Sequence, residues 1–484
     1  MRDYVLIYVN GKRYEIRGAM AYSCLADFLR AELGLIGTKV VCAEGDCGAC
    51  TVLVGRLHGS GLRYETVDSC IQFLYQLDCK HVVSIEGLPR DGMLHPVQEA
   101  LVAHHGSQCG YCTPGFVMAL AGSFEEQRAA DPDRLRLALT GNLCRCTGYL
   151  PILEAGLQLE PATIIPMKEE YSSGTMMEDL RQHAPDPVLI QASGAETRSF
   201  FSPRQLDEAL DFKTRHPEAR VVSGGTELGV LHNKKGMAPP ILLSLTSIPD
   251  LSRITCTDGT VSIGANVTWT MIEAFMKTAV PEFYRIIIRF GSPQIRNVAT
   301  LVANIAHGSP IADSLPFLFI SDAELEVVRQ GSSRRVRIND FYTGYKTTVL
   351  AADELIAGVT IPLPVRDEEL KLYKVSRRND LDIATFGAGI RIQKAAPIIT
   401  RAWIAYSGVA PTVVRLRETE AFLQGQHFCE ETFQQAGQMA RSEIEPISDV
   451  RGSRDFRLQL AENILQKFYY DCAGAEFEEV ERVH

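Results

Sequence analysis

The sequence has no long apolar run, no long run of like charge and no low-complexity tract. No stretch approaches the roughly 18 apolar residues that a membrane-spanning helix needs, and the apolar run near the N-terminus is too short for a signal peptide. The 49 Lys and Arg residues are outnumbered by 59 Asp and Glu residues, which argues against a nucleic acid or an anionic membrane as a partner. A cytoplasmic protein is therefore expected.

Internal repeats and a Rossmann fingerprint are also absent, since no G-x-G-x-x-G follows a predicted strand. The composition, with 46% apolar and 22% charged residues, is that of a globular protein and excludes a disordered chain. A chain of 484 residues is too long for a single core, and its size predicts about three domains.

Cysteines are the most informative residues because their distribution is uneven. Of the 13 cysteines, ten precede residue 147 and three follow it. An odd number, clustered in one third of a large protein with no sign of export, indicates metal or redox chemistry and not a disulfide framework.

Four of these cysteines have the spacing of a plant-type 2Fe-2S cluster: Cys42-x4-Cys47-x2-Cys50, followed by Cys70. Four thiolates must converge on two irons, so three can lie on one tight loop while the fourth comes from a separate segment. Glycines in the loop allow backbone N–H groups to approach the sulfides and stabilise the reduced cluster. Zinc sites with four cysteines usually use two close pairs, which this spacing fits poorly, so we interpret it as an iron–sulfur ligand set.

A second set comprises Cys109-x2-Cys112 and Cys144-x-Cys146. Each pair lies at an expected helix end, where helix-terminal amides can share the negative charge of a cluster. The Cys-x-Cys spacing is tighter than that of usual zinc sites and suits two ligands on one iron of a diiron cluster. A structural zinc protein with two four-cysteine sites is the alternative from a different functional class.

Residues 1–88 predict a small α+β domain with the β-grasp shape of a ferredoxin. Tyr4–Val9 predicts a strand, Asn10-Gly11 is a strong type I′ hairpin signal, and Tyr14–Ile16 predicts the returning strand. A helix with one apolar face is expected around Tyr22–Leu33. Further strands are expected at Thr51–Val54 and Val82–Ile85.

Residues 89–160 change character and predict a helical bundle with cysteines at the helix ends. His95-Pro96 and Asp131-Pro132 each open a helix with proline in its first turn, where the missing N–H costs nothing. Phe116–Arg128 predicts another helix.

Three segments follow. The prolines and scattered charges of 161–195 show no sustained periodicity and predict a linker. Residues 196–369 alternate short strands with helices, and residues 370–484 predict strands followed by helices.

A Gly-Gly turn, Ser223–Gly229, follows the predicted strand Ala219–Val222. Such a turn exposes successive backbone N–H groups as an anion nest suited to a pyrophosphate. An ordinary strand-to-helix turn has the same pattern, so the residues alone leave both interpretations open.

Several motifs together resemble the molybdenum hydroxylases, the family of xanthine dehydrogenase, aldehyde oxidase and their relatives. The motifs are Glu44–Thr51, Gln108–Gly115 and Asn142–Tyr149 in the iron–sulfur part, and Ser223–Gly229, Gln294–Asn297, Asn304–Pro310, Lys374–Arg378 and Ile447–Gly452 in the flavin part. The resemblance implies an α+β multidomain fold. Its parts are a β-grasp plant-type 2Fe-2S ferredoxin domain, an α-helical 2Fe-2S bundle domain, an α+β FAD-binding domain of the non-Rossmann PCMH/CO-dehydrogenase-flavoprotein type and an α+β C-terminal flavoprotein domain.

The same resemblance implies a set of cofactor contacts. FAD would be held by Val221, Val222, Ser223, Gly224, Gly225, Thr226, Glu227, Phe290, Thr300, Asn304, Asp313, Ile356 and Lys374. Phe290 would lie near the flavin ring, and Gln108 would hydrogen-bond the pterin of a molybdenum cofactor held by a partner. Asp380 would correspond to an acidic loop beside the flavin in NAD-using members, with a solvated loop carboxylate as the other interpretation.

The chain departs from the family pattern at two places. Val302 and Ala303 stand where the family usually has two glycines before the asparagine, so two side chains occupy a strip where backbone approaches the cofactor. Val41 stands where the family typically has glycine just before the first cluster cysteine, and we expect it to tighten or desolvate that loop.

The resemblance implies an electron relay of two 2Fe-2S clusters and one FAD, similar to the iron–sulfur/FAD small subunit of bacterial two-chain xanthine dehydrogenases. It further implies a separate molybdopterin-binding large subunit, oxidation of hypoxanthine and xanthine to urate, NAD⁺ as the acceptor and a dimer of heterodimers. The same relay serving another N-heterocycle or an aldehyde, with oxygen or another acceptor, is the alternative.

Overall fold

The N-terminal strands form a five-stranded sheet in the order β2-β1-β5-β3-β4. The structure, a computed structural model, describes residues 1–125, 131–171, 173–193, 197–365 and 367–474. The first elements are β1 (Tyr4–Val9), β2 (Lys12–Arg17), α1 (Leu25–Asp27), β3 (Thr51–His58), β4 (Gly61–Asp68) and β5 (Lys80–Val83). Strands β1 and β5 are parallel and the other neighbours are antiparallel, which is the β-grasp arrangement.

This sheet is buried on both faces, and β1 shows how the sequence achieves it. Successive side chains of a strand point to opposite faces. Val5 and Ile7 pack on the side of α1, while Leu6 and Tyr8 pack against the helices that follow in the chain. The sheet therefore joins two cores, one on each side.

The predicted hairpin is confirmed, since Asn10 and Gly11 have φ angles of 47° and 80° and a type I′ turn needs positive φ at both central residues. The helix predicted at Tyr22–Leu33 begins only at Leu25, because Cys24 has an extended backbone and serves as the N-cap.

The second part of the chain is a helical bundle, as predicted. Its helices are α2 (Pro96–Ala103), α3 (Thr113–Ser123), α4 (Pro132–Leu139) and α5 (Leu150–Leu157). His95 caps α2 by accepting from the N–H of Val97, and Asp131 caps α4 by accepting from the N–H of Arg134. The predicted helix Phe116–Arg128 begins three residues earlier than expected, and its last three residues lie outside the described part of the chain.

The segment predicted as a linker contains α6 (Met167–Glu170), α7 (Gly174–His183) and β6 (Val188–Ala192), so its described residues are not irregular throughout. Met176 and Leu180 bury their side chains in the same core as the helical bundle. The burial of these two side chains fixes the segment against the helical bundle, which its proline content did not indicate. Residues 194 and 195, the last two of the predicted linker, lie outside the described part of the chain.

The third part contains two larger sheets and a small two-stranded one. The first has the order β6-β7-β9-β8, with parallel pairs at β7–β9 and β9–β8, and the second has the order β10-β11-β16-β12-β13. The strands are β7 (Arg198–Ser202), β8 (Arg220–Val222), β9 (Ile241–Ser244), β10 (Ile254–Thr257), β11 (Thr260–Gly264), β12 (Glu324–Arg329), β13 (Ser332–Arg337), β14 (Tyr342–Gly344), β15 (Thr347–Thr348) and β16 (Leu355–Pro362). The helices are α8 (Leu206–Arg215), α9 (Thr226–Lys235), α10 (Trp269–Ala279), α11 (Pro281–Ile287), α12 (Pro293–Arg296), α13 (Leu301–His307) and α14 (Leu315–Ile320).

The C-terminal part is an antiparallel sheet covered by helices, as predicted. Its elements are β17 (Glu368–Val375), β18 (Phe386–Ala395), β19 (Ile398–Ser407), β20 (Val414–Arg415), α15 (Arg417–Leu423), α16 (Glu430–Ser442) and α17 (Arg454–Ala473). Phe386, Tyr406, Phe433 and Phe468 meet in the core between sheet and helices. Within the described ranges, no helix combines the length and the apolar character that a bilayer span requires.

His81 in β5 is fully buried in the first sheet. Its Nε2 accepts from the N–H of Gly11 at 3.0 Å, which places the ring proton on Nδ1, 2.5 Å from the hydroxyl oxygen of Tyr64. Burial, together with the positive charge of Arg90, lowers the pKa of His81 from 6.5 to about 3. The folded state therefore favours the neutral ring.

This burial predicts an acid sensitivity of the first sheet. Because the pKa of His81 is lower in the folded state, its stabilising effect is complete above pH 6.5 and is lost as the pH falls towards 3. Between pH 6.5 and 3, the free energy of unfolding should fall by about 1 kcal/mol for each unit by which the pH decreases. Urea titrations followed by hydrogen exchange in β1 and β5 measure it. His81→Gln should flatten the pH dependence, whereas the exposed His58→Gln should leave it intact; equal slopes in all three proteins would contradict the assignment.

Candidate functional site

Cys42, Cys47 and Cys50 lie on the loop between α1 and β3, and Cys70 lies in the turn after β4. Their side chains contact one another: Cys42 is hydrogen-bonded to Cys47 and Cys70, and Cys70 also to Cys50. Cys50 and Cys70 are buried, whereas Cys42 and Cys47 are half-buried. The fold thus brings together the four cysteines that the spacing singled out.

Backbone amides of this loop are directed at the sulfurs. The N–H of Asp46 donates to the Cys42 sulfur at 3.5 Å, and the N–H of Ala49 donates to Cys47. The hydrogen bonds from Cys47 and Cys70 lower the pKa of Cys42. Thiolates surrounded by N–H donors are the ligand environment that iron–sulfur clusters require.

A buried carboxyl group lies beside the same loop. Asp68 is 2% exposed, and its Oδ1 accepts from the Cys50 thiol at 3.6 Å. Burial raises the pKa of Asp68 to about 7. A large share of Asp68 is therefore neutral near neutral pH, which limits the negative charge that faces the thiolates.

The second set of cysteines meets across the helical bundle. Cys112 is the N-cap of α3 and contacts Cys144, while Cys109 contacts Cys146. The Thr147 hydroxyl donates to the Cys144 sulfur at 3.1 Å. Cys109 and Cys146 are exposed, so this site opens at the surface of the protein.

Each set supplies four sulfurs with N–H or O–H donors beside them, which fits a diiron cluster with four thiolate ligands. We call the loop set of Cys42, Cys47, Cys50 and Cys70 cluster site 1, and the bundle set of Cys109, Cys112, Cys144 and Cys146 cluster site 2. In the described residues, no three His, Cys, Asp or Glu side chains form a site for a single metal ion.

The two cluster sites meet the third part of the chain, which we call the flavin region, at a buried junction of amides. The Asn142 side chain donates to the carbonyl oxygen of Gly48 at 3.0 Å. The Gln294 side chain, from α12, donates to Asn142 Oδ1 at 2.9 Å and to Thr51 Oγ1 at 3.1 Å. Gln294 is completely buried. One fixed network thus holds three parts of the chain that lie far apart in sequence.

Backbone contacts tighten this junction. The N–H of Leu143 donates to the carbonyl oxygen of Cys47 at 3.0 Å. A Cβ atom on Gly115 would overlap the carbonyl oxygen of Gly48. Only glycine lets α3 approach the first cluster loop this closely.

A cavity of about 850 Å³ lies between the two sheets of the third part. The Gly-Gly turn sits at the carboxyl end of β8, where ligands commonly bind in parallel sheets, and Gly225 has φ of 70° as it opens α9. Most residues implied as FAD contacts line this cavity, namely Val221, Val222, Ser223, Gly224, Gly225, Thr226, Glu227, Phe290, Thr300, Asn304 and Ile356. Its volume is within the range of cofactor pockets.

Two implied FAD contacts, Asp313 and Lys374, do not line the cavity. Instead they pair with each other, since Lys374 Nζ donates to Asp313 Oδ2 at 2.8 Å and to the carbonyl oxygen of Arg289 at 3.3 Å. Asp313 Oδ1 has no hydrogen-bond partner among the described residues. This buried pair joins β17 to the flavin region.

One wall of the cavity carries a group of charged side chains, of which the sequence analysis had assigned a contact only to Glu227. Glu227 is 2.6 Å from His307 Nδ1, 3.4 Å from Lys346 Nζ and 3.8 Å from Arg220 Nη2. The hydrogen bond from His307 lowers the pKa of Glu227. His307 lies in the Asn304–Pro310 motif but had no contact assigned to it, and no pattern marked Lys346, because their contacts depend on how α13 and β14–β15 pack against α9.

Asn266 was also missed, and it too lines the cavity. It is 8% exposed, and its Oδ1 has no hydrogen-bond partner within the described part of the chain. A buried polar atom of this kind needs a partner, and a bound ligand can supply one. The observation supports the fit of a polar cofactor to this cavity.

Val302 and Ala303, which stand where the family usually has two glycines, both line the cavity. Val302 is 6% exposed and packs mainly into the core with Leu301 and Ile305. The N–H of Ala303 donates to Thr300 Oγ1 at 3.2 Å, which caps α13. The side chain of Val302 is therefore directed mainly into the core, and the N–H of Ala303 is already satisfied.

Asp380 and Asp46 line a second cavity, of about 380 Å³, between the C-terminal part and the helical bundle. Asp380 accepts from the Asn379 side chain at 3.1 Å. It does not line the larger cavity. Gln108 is exposed beside Cys109, and Val41 is also exposed.

Four family models match successive parts of the chain. Residues 7–82 match the 2Fe-2S iron-sulfur cluster binding domain, 84–157 the 2Fe-2S binding domain, 195–364 the FAD binding domain in molybdopterin dehydrogenase and 371–472 the CO dehydrogenase flavoprotein C-terminal domain. The predicted fold class is confirmed. The predicted cofactors of this chain, two 2Fe-2S clusters and FAD, correspond to these domains.

Curated relatives include xanthine dehydrogenases. Xanthine dehydrogenase 1 of Arabidopsis thaliana is 30% identical over 537 aligned residues, which cover 96% of this chain and 39% of the relative. Xanthine dehydrogenase/oxidase of Gallus gallus is 29% identical, with 96% of this chain and 40% of the relative covered. The chain therefore spans about two fifths of the length of these relatives.

Solved structures of two other enzymes are similar to part of the chain. A carbon monoxide dehydrogenase from Hydrogenophaga pseudoflava is 25% identical with a TM-score of 0.53, covering 55% of this chain and 94% of that chain. Quinoline 2-oxidoreductase from Pseudomonas putida 86 is 28% identical with a TM-score of 0.52, covering 56% and 95%. The four successive domain matches and the xanthine dehydrogenase alignments confirm the resemblance to the molybdenum hydroxylases: the chain carries 2Fe-2S, FAD-binding and CO dehydrogenase flavoprotein C-terminal domains and is homologous to about two fifths of the length of the xanthine dehydrogenases.

Proposed function

We propose that this chain passes electrons from a molybdopterin-binding partner subunit through two 2Fe-2S clusters to FAD and on to NAD⁺. The proposed overall reaction is the oxidation of hypoxanthine and xanthine to urate. The observation that carries the proposal is the buried junction of Gln294, Asn142, Thr51 and Gly48, which fixes both cluster sites against the flavin region. The similarity to xanthine dehydrogenases supports the substrate and the acceptor.

When bound, the clusters carry single electrons and the flavin accepts two. The residues of this chain contribute the hydrogen-bond donors and the polar groups around these cofactors. Asp46 and Ala49 direct N–H groups at the sulfurs of cluster site 1, which stabilises added negative charge there. Thr147 does the same with its hydroxyl at cluster site 2. The Gly-Gly turn and Asn266 offer polar groups in the larger cavity, where the proposed FAD contacts also lie.

The surface around cluster site 2 suits the proposed partner. Tyr111, Leu143, Tyr149 and Leu150 are exposed by 49%, 41%, 39% and 62%. Exposed apolar side chains grouped around exposed cysteines are typical of an interaction surface. Gln108 is exposed at the same place, which supports its proposed contact with the partner's pterin. We expect the assembled enzyme to be a dimer of heterodimers.

Other substrates are the second candidate. The similarity to carbon monoxide dehydrogenase and quinoline 2-oxidoreductase supports the same relay with another heterocycle or acceptor.

The domain boundaries we propose are 1–88, 89–160, 196–369 and 370–484, with 161–195 as the connecting segment. The ranges of the four family models support them.

The cofactor content tests the relay directly. Two diiron clusters correspond to about four irons per chain, and we expect these together with one FAD in the purified chain. Elemental analysis and the visible spectrum measure both. Zinc without iron would contradict the relay and favour the structural zinc alternative, while iron without flavin would indicate that Val302 and Ala303 close the FAD strip.

Replacement of one cysteine tests the ligand assignment. Cys70→Ser should remove cluster 1 and about half of the iron, because the fourth thiolate of that set is lost. Paramagnetic resonance of the reduced protein should then show cluster 2 alone. Cys256→Ser is the matched control, since Cys256 is exposed in β10 and belongs to neither set. Two intact signals in Cys70→Ser would refute the assignment.

Activity of the chain without its partner tests the division of labour. With iron and FAD bound, the chain should oxidise NADH with a dye acceptor, because the proposed flavin site is its own. It should not oxidise xanthine, because substrate oxidation is assigned to the partner. Adding the partner should restore xanthine-dependent reduction of NAD⁺. Xanthine turnover by this chain alone would exclude the two-subunit proposal.

A further inference from the structure

Helix α9 connects the flavin cavity to cluster site 1. It begins at Gly225, in the turn that lines the larger cavity. In its middle, a Cβ atom on Gly229 would overlap the backbone of Ile71, the neighbour of Cys70. The helix therefore lies in backbone contact with the segment that supplies the fourth cysteine, and it ends beside the first cluster loop.

Asn233, in the last turn of α9, ties the two segments of cluster site 1 together. Its Nδ2 donates to the carbonyl oxygen of Ala43 at 3.0 Å and to that of Cys70 at 2.8 Å. Its Oδ1 lies 3.8 Å from the Cys24 sulfur, which can donate to it. The reverse orientation of the amide would put Oδ1 against two carbonyl oxygens, so the contacts assign the orientation.

Ala43 makes this contact informative. Its φ of 54° is left-handed, a conformation that a residue with a Cβ atom adopts at a cost. The hydrogen bond from Asn233 holds the carbonyl group of Ala43 in that conformation. The shape of the loop between Cys42 and Cys47 therefore depends on a side chain from the flavin region.

Lys234 adds a positive charge at the same place. Its Nζ donates to the carbonyl oxygen of Cys42 at 2.6 Å and lies 3.5 Å from a carboxylate oxygen of Glu44. The carbonyl end of a helix carries partial negative charge. Lys234 counters that charge where α9 meets the cluster loop.

We propose that Asn233 and Lys234 are positioning residues for cluster 1: Asn233 holds its two ligand segments together, and Lys234 raises its reduction potential. The inference rests on the proposed assignment of cluster site 1. Net charge, hydrogen bonding and solvent exposure set the potentials of iron–sulfur clusters. A cation beside the ligand loop stabilises the more negative, reduced state. Because both residues belong to the helix that opens at the FAD turn, the flavin region tunes the cluster from which it receives electrons.

A redox titration of the complete, cofactor-loaded chain, followed by paramagnetic resonance, tests the role of Lys234. Lys234→Gln should shift the midpoint potential of cluster 1 to more negative values and leave cluster 2 unchanged. Lys235→Gln is the matched control, because it removes the same charge one residue later, and the Lys235 side chain makes no hydrogen bond or ion pair with the described residues. An unchanged cluster 1 potential in Lys234→Gln, or equal shifts in both variants, would overturn the inference.

Asn233→Asp tests the link between the ligand segments. It keeps the size of the side chain but replaces the donor to Ala43 and Cys70 with an oxygen that repels both carbonyl groups. Iron of cluster 1 should be lost on mild chelation, while FAD content and the cluster 2 signal, which report on folding, stay normal. Full retention of cluster 1 would contradict the role of Asn233. If the unmodified chain shows no cluster signal at all, the proposed function fails instead.

Discussion

The buried amides of Gln294 and Asn142 are the constraint on which the rest of the arrangement depends. A buried amide needs hydrogen-bond partners inside the protein, and here the donors of both side chains find them in other parts of the chain, while Gln294 Oε1 has no partner among the described residues. These hydrogen bonds hold the first cluster loop, the helical bundle and the flavin region in one relative position. Precise spacing of electron carriers is thereby obtained from ordinary hydrogen bonds.

The flavin region takes part in this spacing on a second side. The Gln76 side chain donates to the carbonyl oxygen of Ser223 in the Gly-Gly turn at 2.9 Å, and α9 runs from that turn back to the cluster loop. The turn and the loop are thus held at both ends of one helix. Because α9 is held at both ends, the Gly-Gly turn and the first cluster loop have little freedom to move apart. This suits electron transfer between cofactors bound at these two places.

Sequence reasoning identified what depends on local spacing. The cysteine sets, the Asn10-Gly11 hairpin and the proline-led helices follow from a few neighbouring residues, and the structure places them as expected. The junction at Gln294 could not be found in this way, because its partners are 152 and 243 residues away. The helices and the strand of the connecting segment could not be found either, because the core that buries Met176 is formed mostly by residues elsewhere in the chain.

The unequal exposure of the two cluster sites has a consequence for handling the protein in air. Cys50 and Cys70 are 2% and 3% exposed and Cys42 and Cys47 are half-buried, so dioxygen and peroxide have less access to the sulfurs of cluster site 1 than to those of cluster site 2. Cys109 and Cys146 are exposed, and oxidation of sulfur follows access. Oxidative damage during purification will therefore begin at the helical bundle and reach the first cluster loop later.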